Sequence, residues 1–267
     1  MMAIMRETPE FALETRFLNR INVKNIFQRI HRGSFPALAQ RSRPSLETFY
    51  NSYVQTYLDR DLRDIFNISK LTPFRDFLRL CAARTGQILN YSSLAKDIGV
   101  SVPTVQEWIR ILEASMHVYL LRPYFRNLSK QMIKAPKLYF LDTGLAAFLT
   151  KWESPETLMN GAMAGAFFET FVVSEIIKSY LFRGEALPLF YFRDKRGHEV
   201  DVVIERDGIL YPIEIKMGAH VRSSDFHNIS YLRSKSTRTG KGAIISLSKQ
   251  HIPIDRQNDI IPVTMIS

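Results

Sequence analysis

Polar and apolar positions alternate most strictly over residues 198–216. His198-Glu199-Val200-Asp201-Val202-Val203-Ile204-Glu205 and Ile209-Leu210-Tyr211-Pro212-Ile213-Glu214-Ile215-Lys216 read as two strands, and Asp207-Gly208 between them reads as a two-residue type I′ loop. Such a loop pairs Arg206 with Ile209 and, counting back one residue per strand, sets Asp201 opposite Glu214 and Glu199 opposite Lys216. Side chains alternate faces along a strand. One face is therefore expected to carry Glu199, Asp201, Glu214 and Lys216, and the core face Val200, Val202, Ile204, Ile213, Ile215 and Met217.

Helical spacing dominates the first half. Ser45 caps an expected helix from Leu46 to Ile65, with Phe49, Tyr50, Tyr53, Tyr57, Leu58, Leu62 and Ile65 on its apolar side. Pro73 suits the first turn of a helix reaching Arg84. Asn90 opens another that stops at Gly99, and Ser101 starts the next, through Leu112. Helix, glycine turn and capped helix give a helix-turn-helix layout, and strand-like runs at Met116–Leu121 and Met132–Leu141 extend it to a winged helix. Further on, the pattern predicts a short helix after Thr143-Gly144 and a nearly all-apolar helix over Gly165–Ile177. It then predicts a strand over Leu189–Arg193, a turn at Asp194–Gly197, a helix over Arg222–Arg233, and strands over Lys241–Leu247 and Pro262–Ile266. The expected class is α/β. Residues 1–45 form a basic linker, 46–141 a helical winged-helix domain, and 142–267 an α/β domain with a mixed sheet.

Charge sharpens this division. The net charge of +10 lies wholly in the first half: residues 142–267 hold as many acidic as basic residues. Between Glu113 and Asp142 no acid occurs, while Arg122, Arg126, Lys130, Lys134 and Lys137 are spread along the expected wing, with Tyr124 and Phe125 among them. That spacing suits tracking a phosphate backbone, so DNA is the expected partner and a partner protein the other candidate. The expected recognition helix is poorer for a polyanion, since Glu107 and Glu113 outnumber Arg110 on its outer side. A single cysteine, Cys81, excludes an internal disulfide framework. No apolar run is long enough to span a membrane, so a cytoplasmic location is expected. The histidines lack zinc spacing, and neither GxSxG, HExxH nor GxGxxG occurs.

The candidate chemistry lies in the hairpin. Carboxylates directly opposite in an antiparallel pair stand about 4.5–5.5 Å apart at Cβ and repel. A divalent cation, a shared proton or the Lys216 ammonium has to offset that repulsion. Mg²⁺ uses one or two carboxylates together with water and phosphate oxygens, so an acidic pair beside a lysine suits phosphodiester cleavage. Asp201 followed by Glu214-Ile215-Lys216 resembles the PD-(D/E)XK nuclease motif, with Val200 where that motif is named for proline. The resemblance implies a third acid from the preceding helix, Glu169. It implies Mg²⁺ or Mn²⁺ held by Glu169, Asp201 and Glu214, with Lys216 beside the attacking water.

A wider likeness runs from about Gly33 to Leu247. Gly33-Ser34-Phe35-Pro36, Tyr53-Val54-Gln55-Thr56-Tyr57-Leu58-Asp59-Arg60-Asp61, Ser101-Val102-Pro103-Thr104-Val105, Lys137-Leu138-Tyr139-Phe140-Leu141-Asp142-Thr143-Gly144, Gly165–Glu169 and Gly197-His198-Glu199-Val200-Asp201 resemble the C-terminal half of prokaryotic AAA-type ATPases. That half carries a domain of unknown function. No GxxxxGK[ST] occurs here, and Lys235 stands where the nearest string, Gly240-Lys241-Gly242, would need its first glycine. The resemblance therefore implies a truncated or split member without an ATP site of its own, with a lid remnant in residues 1–45. The implied function is a DNA-associated protein of nuclease-like fold, with Mg²⁺-dependent phosphodiester hydrolysis possible in principle. The alternative is a non-catalytic DNA- or protein-binding module.

Overall fold

The computed structural model describes residues 23–40, 44–56, 71–124, 134–236 and 238–266. Their contacts group into two compact units. One, the helical unit, comprises Lys24–Leu120 and Lys137–Phe171; the other, the sheet unit, comprises Leu121–Pro136 and Val172–Ser267. The architecture is mixed α/β.

In the helical unit, helix Val23–Arg32 buries Ile26, Phe27 and Ile30, and Leu38 of helix Pro36–Ala39 is buried too. Residues expected as linker thus supply core. Helix Leu46–Tyr53 starts at Ser45, whose hydroxyl accepts the Thr48 N–H. The rest of the helix expected to reach Ile65, from Tyr57 onward, lies outside the described residues, as does Arg60. Helix Leu71–Ala83 carries Pro73 in its first turn, where no amide donor is needed. Helices Tyr91–Ile98 and Val102–Ala114 follow with the expected caps: Asn90 and Ser101 accept amides three residues on, and Gly99 closes the first helix at φ 75°. Phe74, Phe77 and Trp108 pack ring to ring beneath them. β1 (Gln87–Ile88) runs antiparallel to β3 (Lys137–Phe140).

One carboxylate ties this unit together. Asp142 caps helix Thr143–Leu149 by accepting the Leu145 N–H at 2.7 Å, and its other oxygen accepts the Ser34 N–H, also at 2.7 Å. The Tyr50 hydroxyl lies 2.9 Å from Asp142 Oδ1 and 2.8 Å from the Arg32 carbonyl; its single hydrogen serves one acceptor at a time. Burial, followed by the Asp142 charge, pushes that phenol well above its ordinary range. The crowding explains two glycines. A Cβ on Gly33 would lie 2.4 Å from the Tyr50 oxygen, and one on Gly144 2.2 Å from it.

The sheet unit orders its strands β4 (Leu189–Arg193), β5 (Glu199–Arg206), β6 (Ile209–Lys216), β7 (Gly242–Ser246), β9 (Asn258–Pro262) and β8 (Ile252–Pro253). β4, β5 and β6 are antiparallel neighbours; β6–β7 and β7–β9 are parallel. Arg122 and Pro123, the end of β2 (Val118–Pro123), run parallel to β4. A crossover from β6 to β7 carries a 3₁₀ turn, Ser223–Phe226, and helix His227–Lys235. Phe226 and Ile229 pack on Ile244 and Ile260, and Leu232 packs with Val203, Leu210 and Phe192. The strand expected over Pro262–Ile266 instead ends at Pro262, which has no N–H to continue a ladder, and Val263–Met265 is a 3₁₀ turn. The strand starts at Asn258 and Asp259, two poor strand formers; Asp259 is buried against Lys241 at 2.8 Å.

Two helix ends carry a side chain in left-handed backbone. Met116 follows helix Val102–Ala114 at φ 58°, and Lys151 follows helix Thr143–Leu149 at φ 61°. In both, the next amide reaches back to close the end: His117 N–H to the Leu112 carbonyl, and Trp152 N–H to the Ala147 carbonyl. Left-handed backbone costs a non-glycine residue roughly 1–2 kcal/mol, partly offset by the extra freedom of an unfolded glycine. Met116→Gly is therefore expected to raise stability by up to about 1 kcal/mol in urea denaturation, whereas Met116→Val should lower it.

Candidate hairpin site

The β5–β6 hairpin forms as its turn chemistry dictates. Asp207 and Gly208 both adopt positive φ, 53° and 75°. The ladder pairs Arg206 with Ile209 and continues residue for residue to Val202 with Ile213. There it stops. On the other side of β5, Phe190 faces Val203 but Phe192 faces Val200, so one residue of β4, Tyr191, is matched by two of β5. This is a β-bulge at Asp201-Val202.

The bulge corrects the expected division of faces. Val200 does not share a face with Val202; it joins Val203, Phe192, Leu210 and Leu232 in one cluster. In an unbroken ladder the Ile215 N–H would meet the Val200 carbonyl. Instead it donates to Asp201 Oδ2 at 2.8 Å, the side chain replacing the strand's own acceptor. Glu199 does not face Lys216 as an ion-pair partner; it takes Arg193 from β4 at 2.8 Å.

The supposedly polar side of β6 is also covered. Glu214 is 1% exposed. Its Oε2 accepts from Lys216 Nζ at 3.1 Å, while Oε1 is buried with no hydrogen-bond partner. Burial raises the Glu214 pKa, and repulsion from Asp201 raises it further; Lys216 and the Asn228 side chain pull it back, leaving it at about 8. Burial alone would lower the Lys216 ammonium, but the Glu214 and Asp201 carboxylates outweigh that and hold it raised. Lys216 is the half-exposed member of the group.

Asn228 went unforeseen, since an asparagine early in a helix carries no sequence signal for a partner on a distant strand. Another group near the start of β5 was likewise missed. Asp194 accepts the Tyr231 hydroxyl at 2.7 Å, the Arg196 and His198 amides at 2.8 and 3.1 Å, and His198 Nδ1 at 3.3 Å. The His198 and Tyr231 rings stack 3.7 Å apart. Burial works to raise the Asp194 pKa, but these hydrogen bonds, Tyr231 foremost, bring it below the ordinary value. The cluster pins the β4–β5 turn.

Glu169, the expected helix acid, lies on helix Ala164–Phe182, in the first part of it, which belongs to the helical unit. Its Oε1 accepts from Tyr139 at 2.6 Å and from Lys137 at 3.1 Å. That pairing revises the expectation for Lys137: it is 3% exposed, so it presents no surface to a phosphate backbone. Arg122 and Lys134 are exposed; Arg126 and Lys130 lie outside the described residues.

A divalent cation fits the hairpin's donor set. The orphaned Glu214 oxygen and the adjacent Asp201 charge are what a cation would satisfy. Among the described residues no three His, Cys, Asp or Glu side chains gather as a complete cage, so water or phosphate oxygens would supply the remaining ligands.

A family model described as a domain of unknown function, DUF8612, matches residues 23–156, half of the chain. The chain belongs to the DUF8612 family. In this DUF8612 protein a second model, the domain of unknown function DUF4143, matches residues 164–266 and contains the hairpin. The chain is similar to two curated proteins, the uncharacterized protein Rv2008c of Mycobacterium tuberculosis and the uncharacterized protein Mb2031c of Mycobacterium bovis. Each is 28% identical over 181 residues, 68% of this chain. The match spans 40% of the length of those relatives. No solved structure matches the chain. Among its described residues no helix is long and apolar enough to cross a membrane.

The Glu214 environment fixes a pH dependence. An unfolded glutamate titrates near 4.5 and folded Glu214 near 8, so between those values the folded state binds the extra proton. Stability therefore falls as pH rises through that window, by about 1.4 kcal/mol per pH unit for one proton. Glu214→Gln should flatten that slope in urea denaturation at pH 5 and pH 8.5; equal slopes for variant and wild type would refute the assignment. Asp201→Asn keeps an oxygen for the Ile215 N–H and is expected to be tolerated. Asp201→Ala orphans that donor and should cost about 1–3 kcal/mol.

Proposed function

We propose that this is a DNA-associated protein whose sheet unit has a PD-(D/E)XK-type fold and whose hairpin supports divalent-metal-dependent phosphodiester hydrolysis. The observation that carries the reading is the buried Glu214 with an unpartnered oxygen beside Asp201, and with Lys216 on its other oxygen. A structural salt bridge on a surface hairpin does not need a carboxylate 1% exposed with half its acceptors empty. The antiparallel hairpin followed by a crossover helix and a parallel strand agrees with that fold. The second domain match is commonly found in AAA-ATPase-associated proteins, in keeping with the sequence resemblance.

In this reading Asp201 and Glu214 hold Mg²⁺ or Mn²⁺, which when bound polarises the phosphate and lowers the pKa of a water. The residues themselves do the rest. Asp201 is aimed by the Ile215 amide, Glu214 by Lys216. The Lys216 ammonium stays charged and is placed to orient water and stabilise charge developing on the phosphate. Glu169, assigned as a third acid by resemblance, already accepts from Lys137 and Tyr139, so the proposal rests on the hairpin residues.

The helix-turn-helix of the helical unit is read here as a winged-helix module. Its helix Val102–Ala114 favours a protein-contact role over sequence reading, because Arg110 is spent on Glu107 at 3.2 Å and the exposed face offers no other cation.

Melting temperature is expected to rise with Mn²⁺. A ligand binding only the folded state adds about 2.7 kcal/mol at a hundred times Kd. Asp201→Asn should lose that response, and Lys216→Ala should keep it while abolishing Mg²⁺-dependent nicking of plasmid or single-stranded DNA. A wild-type response to Mn²⁺ in Asp201→Asn would place the cation elsewhere and end the hairpin reading. A wild type that binds Mn²⁺ yet cuts no DNA would leave the non-catalytic binding module as the function.

A further inference from the structure

We propose that the helical unit holds a second ligand site, a preformed cavity that takes an organic cation of the amine or guanidinium class with an apolar body. The cavity has a volume of about 460 Å³ and lies wholly within that unit. Such a volume falls in the range of small-molecule sites, whose walls are largely apolar with a few polar groups to set orientation.

The walls are aromatic and fixed. Tyr50 and Phe148 lie with ring centroids 5.6 Å apart and planes 26° from parallel. Tyr50 is held by its hydroxyl on Asp142 or the Arg32 carbonyl. Trp152 is seated against Gly161, where a Cβ would come within 2.2 Å of the indole ring. Phe148 and Trp152 are the partly exposed rings, with Tyr50 buried against Phe148, and aromatic faces attract cations within about 6 Å.

The polar groups lean the same way. Glu47 and Glu153 line the cavity and both are exposed, against one ammonium, Lys151. His31 is fixed by its Nε2, which lies 2.8 Å from the Trp152 carbonyl. A carbonyl only accepts, so Nε2 carries the hydrogen, and a neutral ring in this tautomer offers Nδ1 as an acceptor. Two carboxylates, an imidazole nitrogen and aromatic rings suit a ligand that donates hydrogen bonds and carries positive charge. An anion would meet repulsion from both glutamates. The site is separate from the hairpin and does not depend on its reading.

The same cation could arrive as a free amine or as a lysine or arginine side chain of another protein. The test separates the two. Of the two tryptophans in the chain, Trp108 is the other, so a fluorescence change that disappears in Trp152→Phe reports this cavity. Benzylamine and agmatine are expected to give saturable changes, and benzyl alcohol, similar in size but neutral, to bind at least about tenfold more weakly. The double variant Glu47→Gln, Glu153→Gln should lose about tenfold in amine affinity, a change typical of losing charged hydrogen-bond partners. Both positions are exposed, and an unchanged circular dichroism melt confirms folding. Lys151→Gln should bind more tightly, since it removes the repelling charge. A capped arginine tripeptide that outcompetes agmatine identifies a protein side chain as the source; the reverse identifies a free amine. Benzyl alcohol binding as tightly as benzylamine, an unchanged affinity in the double glutamine variant, or no saturable change with any cation overturns the proposal.

Discussion

Two successive left-handed residues, Asp207 and Gly208, set the register on which the sheet unit's chemistry depends. A type I′ turn leaves the strands no slack, so Val202 must meet Ile213 five pairs from the loop. One residue further, the β5 bulge ends the pairing and turns the Asp201 carboxylate into the acceptor for Ile215. Turn and bulge act together: the first brings Asp201 level with Glu214, and the second frees a side chain that a regular strand would have pointed away from its partner's backbone.

Burial then gives the pair its character. A glutamate in mid-strand with 1% exposure is expensive as an anion. Lys216 and Asn228 reduce that cost without cancelling it, and the residual strain is electrostatic. Carboxylates in this condition gain from any cation that can reach them. The helical unit meets a similar cost by different means: Lys137 and Glu169 are placed 3.1 Å apart, and the Tyr139 hydroxyl donates to the same glutamate oxygen.

Local signals carried much of this into the sequence. The Asp-Gly turn, the caps at Ser45, Asn90 and Ser101, and the stop at Gly99 each act within a few residues, and each was readable. Strands Leu189–Arg193 and Ile209–Lys216 had the expected bounds, and β5 begins and ends one residue later than expected. What could not be read depends on distant partners. The run Val200-Asp201-Val202-Val203 fits a straight or a bulged strand equally well, and β4 decides between them. The lysine of a basic stretch looks like a surface charge until helix Ala164–Phe182 supplies Glu169. Glu214 was legible as an acid beside Lys216, but its burial comes from the crossover helix lying over it. The cavity beside Trp152 draws on residues from 31 to 153, so no window along the chain outlines it.

The Asp142 knot bears on how this molecule can be divided. Ser34 and Tyr50 supply donors to a carboxylate more than ninety positions later in the chain. Cutting between residues 50 and 71 would strip Asp142 of those donors and uncover Ile26, Phe27, Ile30 and Leu38. An expression fragment meant to isolate the helix-turn-helix therefore has to begin upstream of Ile26, since part of the segment expected as a linker is one wall of the domain.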